Sequence, residues 1–398
     1  MTLVQINAYD SGSTGKIMLQ IGRVAHDLKM HSYTFSSLRA SKNPNTYIHF
    51  YIDNKFEYTV NQIKGFFLGN ELSTSYIVTK RLLKKIDKIQ PDIIHVHNLH
   101  GYYINYIMLF KYIKKHNIRV VWTLHDCWSF TGRCPHFQLT GCEKWKTGCS
   151  NCVYDRRSYP ASVWFDRSRK NWIKKKQAFT GVKDLTIVTP SKWLADLVKQ
   201  SYLKEYPVKV INNGIDLNIF KPTESDFREK YSIQNKYIIL GVANSWGKRK
   251  GIDVFISLSK MLDDKFQIVL VGTNDTIDKE LPENFISIHR TANQQELAEI
   301  YTAADLFVNP TREDTYPTVN MEALACGTPV LTFNTGGSPE IIDDTCGVVV
   351  LQNDIDSIKH EILHIFEDRP FSQEACLEKA KNFSMQERFM EYVKLYEQ

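Results

Sequence analysis

The residues best suited to chemistry lie in one run, residues 312–329, with the sequence REDTYPTVNMEALACGTP. It follows an apolar stretch at 305–310 that reads as a strand. Pro317 then opens a helix, where a fixed φ and a missing N–H cost little. The N–H groups of Thr318 and Val319, in the first turn, have no partner inside the helix and carry the positive end of its dipole. A diphosphate fits such a place. Glu322, one turn further on, is set to accept hydrogen bonds from a ribose diol, and Asp314 lies eight positions before it with Glu313 alongside. The plain alternative is an acidic loop capping an ordinary helix.

Other clusters fall where strands are expected to end. Residues 11–16, Ser-Gly-Ser-Thr-Gly-Lys, put Gly12 and Gly15 between a strand and a helix, where backbone N–H groups can approach phosphate or sugar closely. A Walker loop would need glycine where Asp10 stands and Ser or Thr where Ile17 stands, and G-x-G-x-x-G is absent too, which weighs against nucleotide hydrolases and dehydrogenases. His97 and His125 close the stretches IIHVHN and WTLHDCW; at the ends of parallel strands they should point into one cleft, with His95 on the face of His97 and His100 in a loop. In 243–251, ANSWGKRKG, the cations of Arg249 and Lys250 stand at a helix start, where they would stabilise charge building on a departing diphosphate. Gly336-Gly337 follows a further strand and offers close backbone approach. Asp354-Ile355-Asp356 has the form of a metal-binding D-x-D but precedes a helix and reads as a cap.

The elements that must position these residues alternate between apolar strands and longer helical stretches. Strands are expected at 3–7, 93–98, 120–125, 185–190 and 208–212, and then at 237–243, 267–272, 285–289, 306–310, 329–334 and 347–351. Such alternation is α/β, two Rossmann-like doubly wound parallel-sheet domains facing across a cleft, with ligands beyond the carboxyl ends of the strands. The boundary is placed at 217/218, after the turn Asn213-Gly214-Ile215-Asp216. This makes 1–217 one domain, carrying a cysteine-rich insertion at 127–152, and 218–384 the second.

With 398 residues, 43% apolar and 24% charged, the chain is globular and large enough for two or three cores. No apolar run approaches the roughly 18 residues of a membrane span, and the first residues, MTLVQINAYDSG, resemble no secretion signal. A cytoplasmic protein is expected. A net charge of +6 is mild and does not by itself ask for nucleic acid; it suits an anionic substrate or an acidic membrane surface. Within 159–179, Trp164, Phe165, Trp172 and Phe179 share one helical stripe beside Lys174, Lys175 and Lys176. That stripe either packs on its own domain or lies on an anionic membrane. Cys127, Cys134, Cys142, Cys149 and Cys152 crowd into the insertion. In a reducing compartment they are read either as buried thiols or as a structural zinc site of Cys134, Cys142, Cys149 and Cys152.

The carboxylate pair at Asp314 or Glu313 and Glu322, with the run E-A-L-A-C-G-T-P-V, resembles that of the retaining glycosyltransferases of family 4, which have the GT-B fold. The likeness spans essentially the whole chain. VINNGIDLNIFKP at 210–222 is similar to the family's interdomain segment, Lys250 to the lysine of G-R-x-x-x-x-K-G with Ser245 in the arginine's place, 336–340 to its G-G-x-P-E turn, and His125 to its sugar-contacting histidine. The insertion resembles that of exopolysaccharide and colanic-acid-type members. The resemblance implies transfer of a sugar from a UDP- or GDP-linked donor to a saccharide acceptor linked to polyprenyl diphosphate, in surface polysaccharide or capsule assembly at the inner face of the membrane. It also implies that 385–398 returns to pack on the first domain. Glu322 would hold the ribose, Arg249, Lys250, Thr318 and Val319 the diphosphate, Asp314 or Glu313 the sugar, and Gly12, Gly15, Gly336 and Gly337 would line the donor. The leaving phosphate would take the acceptor proton, so that no protein nucleophile and no catalytic metal are expected. Nucleotide-sugar epimerisation and a zinc-stabilised basic module binding nucleic acid are the competing readings.

Overall fold

The structure is a computed structural model, and it describes residues 1–37, 48–68, 75–153 and 165–398. Its strands are short, and most of those inside the sheets are apolar and buried on both faces, as parallel strands covered by helices must be. The chain forms two compact units, one of residues 1–211 with 389–398 and the other of residues 212–388. The change-over thus falls at Ile211–Asn212 rather than at 217/218, and the return begins at Phe389, inside the last helix.

In the first unit seven strands run parallel: β1 (Thr2–Ile6), β2 (His31–Ser36), β3 (His49–Tyr51), β4 (Ile93–Val96), β5 (Arg119–Thr123), β6 (Leu185–Thr189) and β7 (Val208–Val210). Their order is β3-β2-β1-β4-β5-β6-β7. The helices are α1 (Gly12–Asp27), α2 (Lys55–Leu68), α3 (Tyr76–Ile89), α4 (Tyr106–His116), α5 (Ser168–Phe179) and α6 (Lys192–Lys199). Strands β2 and β3 were not expected. HSYTFS and HFY mix histidine, serine and threonine with the aromatics, and so carry no continuous apolar signal.

The second unit has α7 (Phe227–Lys230), β8 (Tyr237–Val242), α8 (Ile252–Leu258), β9 (Phe266–Val271), α9 (Asp275–Asp278), β10 (Ile286–Ile288) and α10 (Gln294–Ala303). It continues with β11 (Leu306–Asn309), α11 (Thr318–Ala325), β12 (Val330–Phe333), β13 (Gly347–Val350), α12 (Ile355–Asp368) and α13 (Gln373–Ala380). The strand order is β10-β9-β8-β11-β12-β13. Asp354 caps α12 by accepting the Ser357 N–H at 2.9 Å, as its place before the helix predicts.

Helix α14 (Met385–Tyr396) closes the chain. Its Tyr392 and Tyr396 are buried in the first unit, and Arg119 donates to the carbonyls of Leu395 and Tyr396 at 2.7 Å each, satisfying the helix's last acceptors.

The helical part of the basic aromatic stripe belongs to the core. Trp172 and Phe179 on α5 are buried, and Trp172 donates its indole N–H to the Trp145 carbonyl of the insertion at 3.0 Å. Lys175 is buried as well: its ammonium donates to the carbonyls of Trp128 (2.7 Å) and Thr131 (3.2 Å) and lies 3.4 Å from the Trp128 ring centroid. The membrane alternative for α5 thereby loses Trp172, Phe179 and Lys175, which the first unit itself covers, while Phe165 stays 55% exposed. Trp164 lies outside the described residues.

Candidate active site

Both strand orders reverse direction once, between β1 and β4 in the first unit and between β8 and β11 in the second. At such a switch point the loops leaving neighbouring strands diverge to opposite faces and leave a crevice. The residues singled out from the sequence come from those loops.

In the second unit the crevice lies between the turn after β8 and the loop after β11. From 311 to 326 every residue is buried except Asp314, Thr318, Val319 and Glu322. Those four are the positions at which a ligand can be met. Lys250 donates to Asp314 Oδ2 at 2.7 Å, the two side chains being about one-fifth exposed. Arg249 donates to the Glu313 carbonyl at 3.1 Å. Glu313 itself has no exposed surface, so of the two adjacent carboxylates Asp314 is the accessible one. Glu322 accepts from the buried Tyr301 hydroxyl at 3.2 Å, which orients its carboxylate.

A residue not singled out beforehand holds this arrangement. The Arg312 guanidinium is buried and donates to both oxygens of Asp253 on α8 (2.7 and 2.8 Å), to the Lys248 carbonyl (2.5 Å) and to Asn353 Oδ1 (2.6 Å). Its own N–H donates to the Arg249 carbonyl at 2.8 Å. Burial alone would raise the Asp253 carboxyl, but the Arg312 guanidinium outweighs this and holds it below the usual range. Two glycines let the loops close on one another. A Cβ on Gly336, at φ +56°, would lie 1.7 Å from the Asp314 carbonyl oxygen, and one on Gly251, at φ +79°, would lie 2.5 Å from that of Pro310. Gly337 is buried beside Gly336.

In the first unit Gly12 begins α1, and Gly15 faces the backbone of Tyr9 and Asp10. Asn98 N–H donates to Asn7 Oδ1 at 3.2 Å, joining the ends of β1 and β4. His97 Nδ1 lies 3.1 Å from His125 Nε2, and His97 Nε2 lies 3.2 Å from Gln5 Oε1. With the Gln5 amide oxygen toward the ring, His97 holds its proton on Nε2 and accepts from His125 Nε2–H. His125 then presents Nδ1 as an acceptor. His95 stacks on His97 with ring centroids 4.1 Å apart, and its nitrogens meet Tyr396 Oη at 2.6 Å and Thr123 Oγ1 at 2.8 Å. His100, read as loop structure, pairs with Asp126 at 2.9 Å.

The insertion brings Cys134, Cys142, Cys149 and Cys152 near enough to influence one another, and Cys149 Sγ accepts the Gly132 N–H at 3.1 Å. Among the described residues no three of these sulfurs lie within 4.8 Å of one another; the grouping that does satisfy that spacing is Asp275, Asp278 and His289. Burial first, then neighbouring thiols, pushes Cys134 up to about 12.

Comparison with known proteins agrees with this arrangement. The structure matches the sucrose-phosphate synthase of Thermosynechococcus elongatus with a TM-score of 0.72 over 100% of this chain and 98% of that one, at 16% identity. It matches Anabaena HepE, solved with UDP, with a TM-score of 0.69 over 99% of both chains at 14% identity. The fold is thus that of the GT-B glycosyltransferases, two Rossmann-like units. The model described as "Glycosyltransferase Family 4" matches residues 44–219, and that described as "Glycosyl transferases group 1" matches 223–384. The chain belongs to this glycosyltransferase family and is an enzyme of that class. A curated relative, a glycosyl transferase of Escherichia coli K12 named for colanic acid biosynthesis, WcaC, is 28% identical over 77% of this chain and 76% of its own length.

The histidine cluster has a consequence for pH. Burial holds His95 and His97 well below the ordinary histidine value, and burial, only partly offset by Asp126, brings His125 down to about 4. All three are neutral at pH 7. In the unfolded chain they titrate near 6.5, so below that value the unfolded state binds more protons. The stability they contribute is present above about pH 6.5 and is lost as pH falls toward about 4. Urea midpoints measured across this window should fall on acidification, and a flat profile would mean that the imidazoles are not held neutral.

Proposed function

We propose that the chain transfers a sugar, with retention of anomeric configuration, from a nucleoside diphosphate sugar to a saccharide carried on a polyprenyl diphosphate, in bacterial surface polysaccharide assembly at the inner face of the cytoplasmic membrane. The observation that carries the donor half is the exposure of Asp314, Thr318, Val319 and Glu322 alone in an otherwise buried segment, opposite Lys250. The HepE structures solved with UDP and with UDP-glucose favour a nucleotide-sugar, and the colanic-acid name of the Escherichia coli relative favours polysaccharide assembly.

In this reading the ribose diol donates to Glu322, and the diphosphate takes the N–H groups of Thr318 and Val319 with the cations of Lys250 and Arg249. Asp314 accepts from sugar hydroxyls. The bond between the anomeric carbon and the diphosphate oxygen breaks, and the acceptor oxygen bonds to that carbon on the same face. The acceptor proton passes to the leaving phosphate. Lys250 gains most as charge grows on the diphosphate, and these groups supply the countercharge without calling on a divalent ion. His125 is assigned to the transferred sugar. Its neutral ring contributes hydrogen bonding rather than charge.

Three variants separate these roles. Glu322→Gln should weaken binding of the nucleoside diphosphate and of the intact donor alike. Lys250→Ala should cost turnover about 100-fold or more. His125→Ala should impair transfer while nucleotide binding stays near native. Calorimetry with UDP and GDP, beside transfer rates, distinguishes them; normal nucleotide binding by Glu322→Gln or native transfer by Lys250→Ala contradicts the assignment.

Structural zinc in the insertion is a further part of the proposal. It would have to draw the four sulfurs closer than they stand. Two features favour it: the Gly132 N–H aimed at Cys149 Sγ, and the buried Lys175 ammonium, which lies near enough to act on Cys134 and Cys149 and would balance a tetrathiolate's negative charge. Protein purified without chelator should contain near-stoichiometric zinc, lost in a Cys149→Ser, Cys152→Ser double variant. Metal-free native protein would make these thiols packing residues.

A further inference from the structure

The exposed apolar side chains of the first unit are concentrated on one pair of helices. Helices α2 and α3 run antiparallel: Arg81 donates to both carboxylate oxygens of Glu57 at 2.6 Å, and Ser75 N–H, at the head of α3, donates to Asn61 Oδ1 at 3.1 Å. Asn61 and Gly65 turn inward, with the Tyr102 ring against Gly65. The opposite face of α2 therefore looks outward. It carries Phe56 (78% exposed), Ile63 (52%), Phe66 and Phe67, and the start of α3 adds Tyr76 (58%) and Ile77 (70%). Positions 56, 63, 66 and 67 recur at helical spacing, so they form a stripe rather than scattered exceptions. Large apolar groups gathered on a surface in this way mark a contact.

Charge indicates what covers the patch. Over the described residues of this helix pair, 55–68 and 75–90, seven lysines and arginines face two carboxylates, Glu57 and Asp87, a balance of 7 − 2 = +5. That local excess is comparable to the +6 of the whole chain, and it lies beside Phe56, the most exposed large apolar side chain among the described residues. All seven cations are exposed. An anionic bilayer complements both features at once, acyl chains meeting the phenylalanines and headgroups the lysines. A cavity of about 250 Å³ whose walls include Tyr51, Asp53, Arg81 and Lys85 lies on the same helix pair, where it would stand at the bilayer surface.

We infer that the outward face of α2 and the start of α3 dock the enzyme on an anionic membrane surface. This rests on the proposed function only in needing an acceptor held at a membrane. The surface is separate from the donor-site residues, so its test does not depend on transfer.

The measurement is co-sedimentation of the full chain with vesicles of phosphatidylcholine alone and of phosphatidylcholine mixed with phosphatidylglycerol, with UDP and GDP binding followed in parallel. Native protein should bind the mixed vesicles and not the neutral ones, and added salt should weaken the binding. A Phe56→Ser, Ile63→Ser, Ile77→Ser variant and a Lys80→Glu, Lys84→Glu variant should each lose about tenfold or more in partitioning while keeping native nucleotide affinity. Native protein that binds both vesicle types equally or neither, or variants that partition as the native chain does, would overturn the inference. So would a dimer in solution that the serine variant dissociates without changing vesicle binding, since the patch would then join two copies. Loss of vesicle binding with nucleotide binding intact in the variants leaves the donor site standing, whereas native protein that binds vesicles but no nucleotide fails the functional reading alone.

Discussion

The crevice of the second unit depends on one buried guanidinium. Arg312 ties the basic turn at 248–250, helix α8 through Asp253, and the segment at Asn353 to the loop that carries Asp314. A buried cation is costly unless its donors are matched, and Arg312 matches its fork to a carboxylate and its remaining N–H groups to a carbonyl and an amide. Removing such a partner would leave the buried guanidinium with unmatched donors. The Lys250–Asp314 pair at 2.7 Å is an outcome of this cross-link, since both residues stand on loops that Arg312 has already joined. The positive φ of Gly336 and Gly251 permits the same closure from the backbone side.

The first unit solves the same topological problem with neutral groups. Its switch point is filled by His95, His97 and His125, whose protons are directed by Gln5, Thr123 and Tyr396 rather than by formal charge. Because α14 supplies Tyr392 and Tyr396, the last residues of the chain help to set the polarity of a pocket built from its first strands. Neutral imidazoles suit a surface that meets hydroxyl groups. Fixed cations suit one that meets a diphosphate, which is the division of roles the proposed function assigns to the two units.

Much of this could be read from residue order. The apolar runs at 237–243 and 306–310 marked β8 and β11, and the spacing from Asp314 to Glu322 placed both on the accessible side of a helix entry. The choice between Glu313 and Asp314 needed coordinates, because adjacent residues differ only in which way the loop turns them. Arg312 was invisible for a different reason: its carboxylate partner lies 59 residues away, and no local pattern announces a long-range fork. Of the expected stripe, Trp172 and Phe179 lie on α5 and Phe165 precedes it, and periodicity cannot say whether a bilayer or the protein's own insertion covers such a face. On α2 the apolar stripe lies exposed instead.

On the proposed function, Arg312 serves the reaction by fixing Lys250 against the loop that carries Asp314. A double-mutant cycle on transfer rate, with Arg312→Lys and Lys250→Ala singly and together, measures this directly. If Arg312 acts through Lys250, the double variant should be scarcely slower than Lys250→Ala alone, with Arg312→Lys slow in the presence of the native lysine. Losses that simply multiply would show the two residues acting independently and would contradict the account.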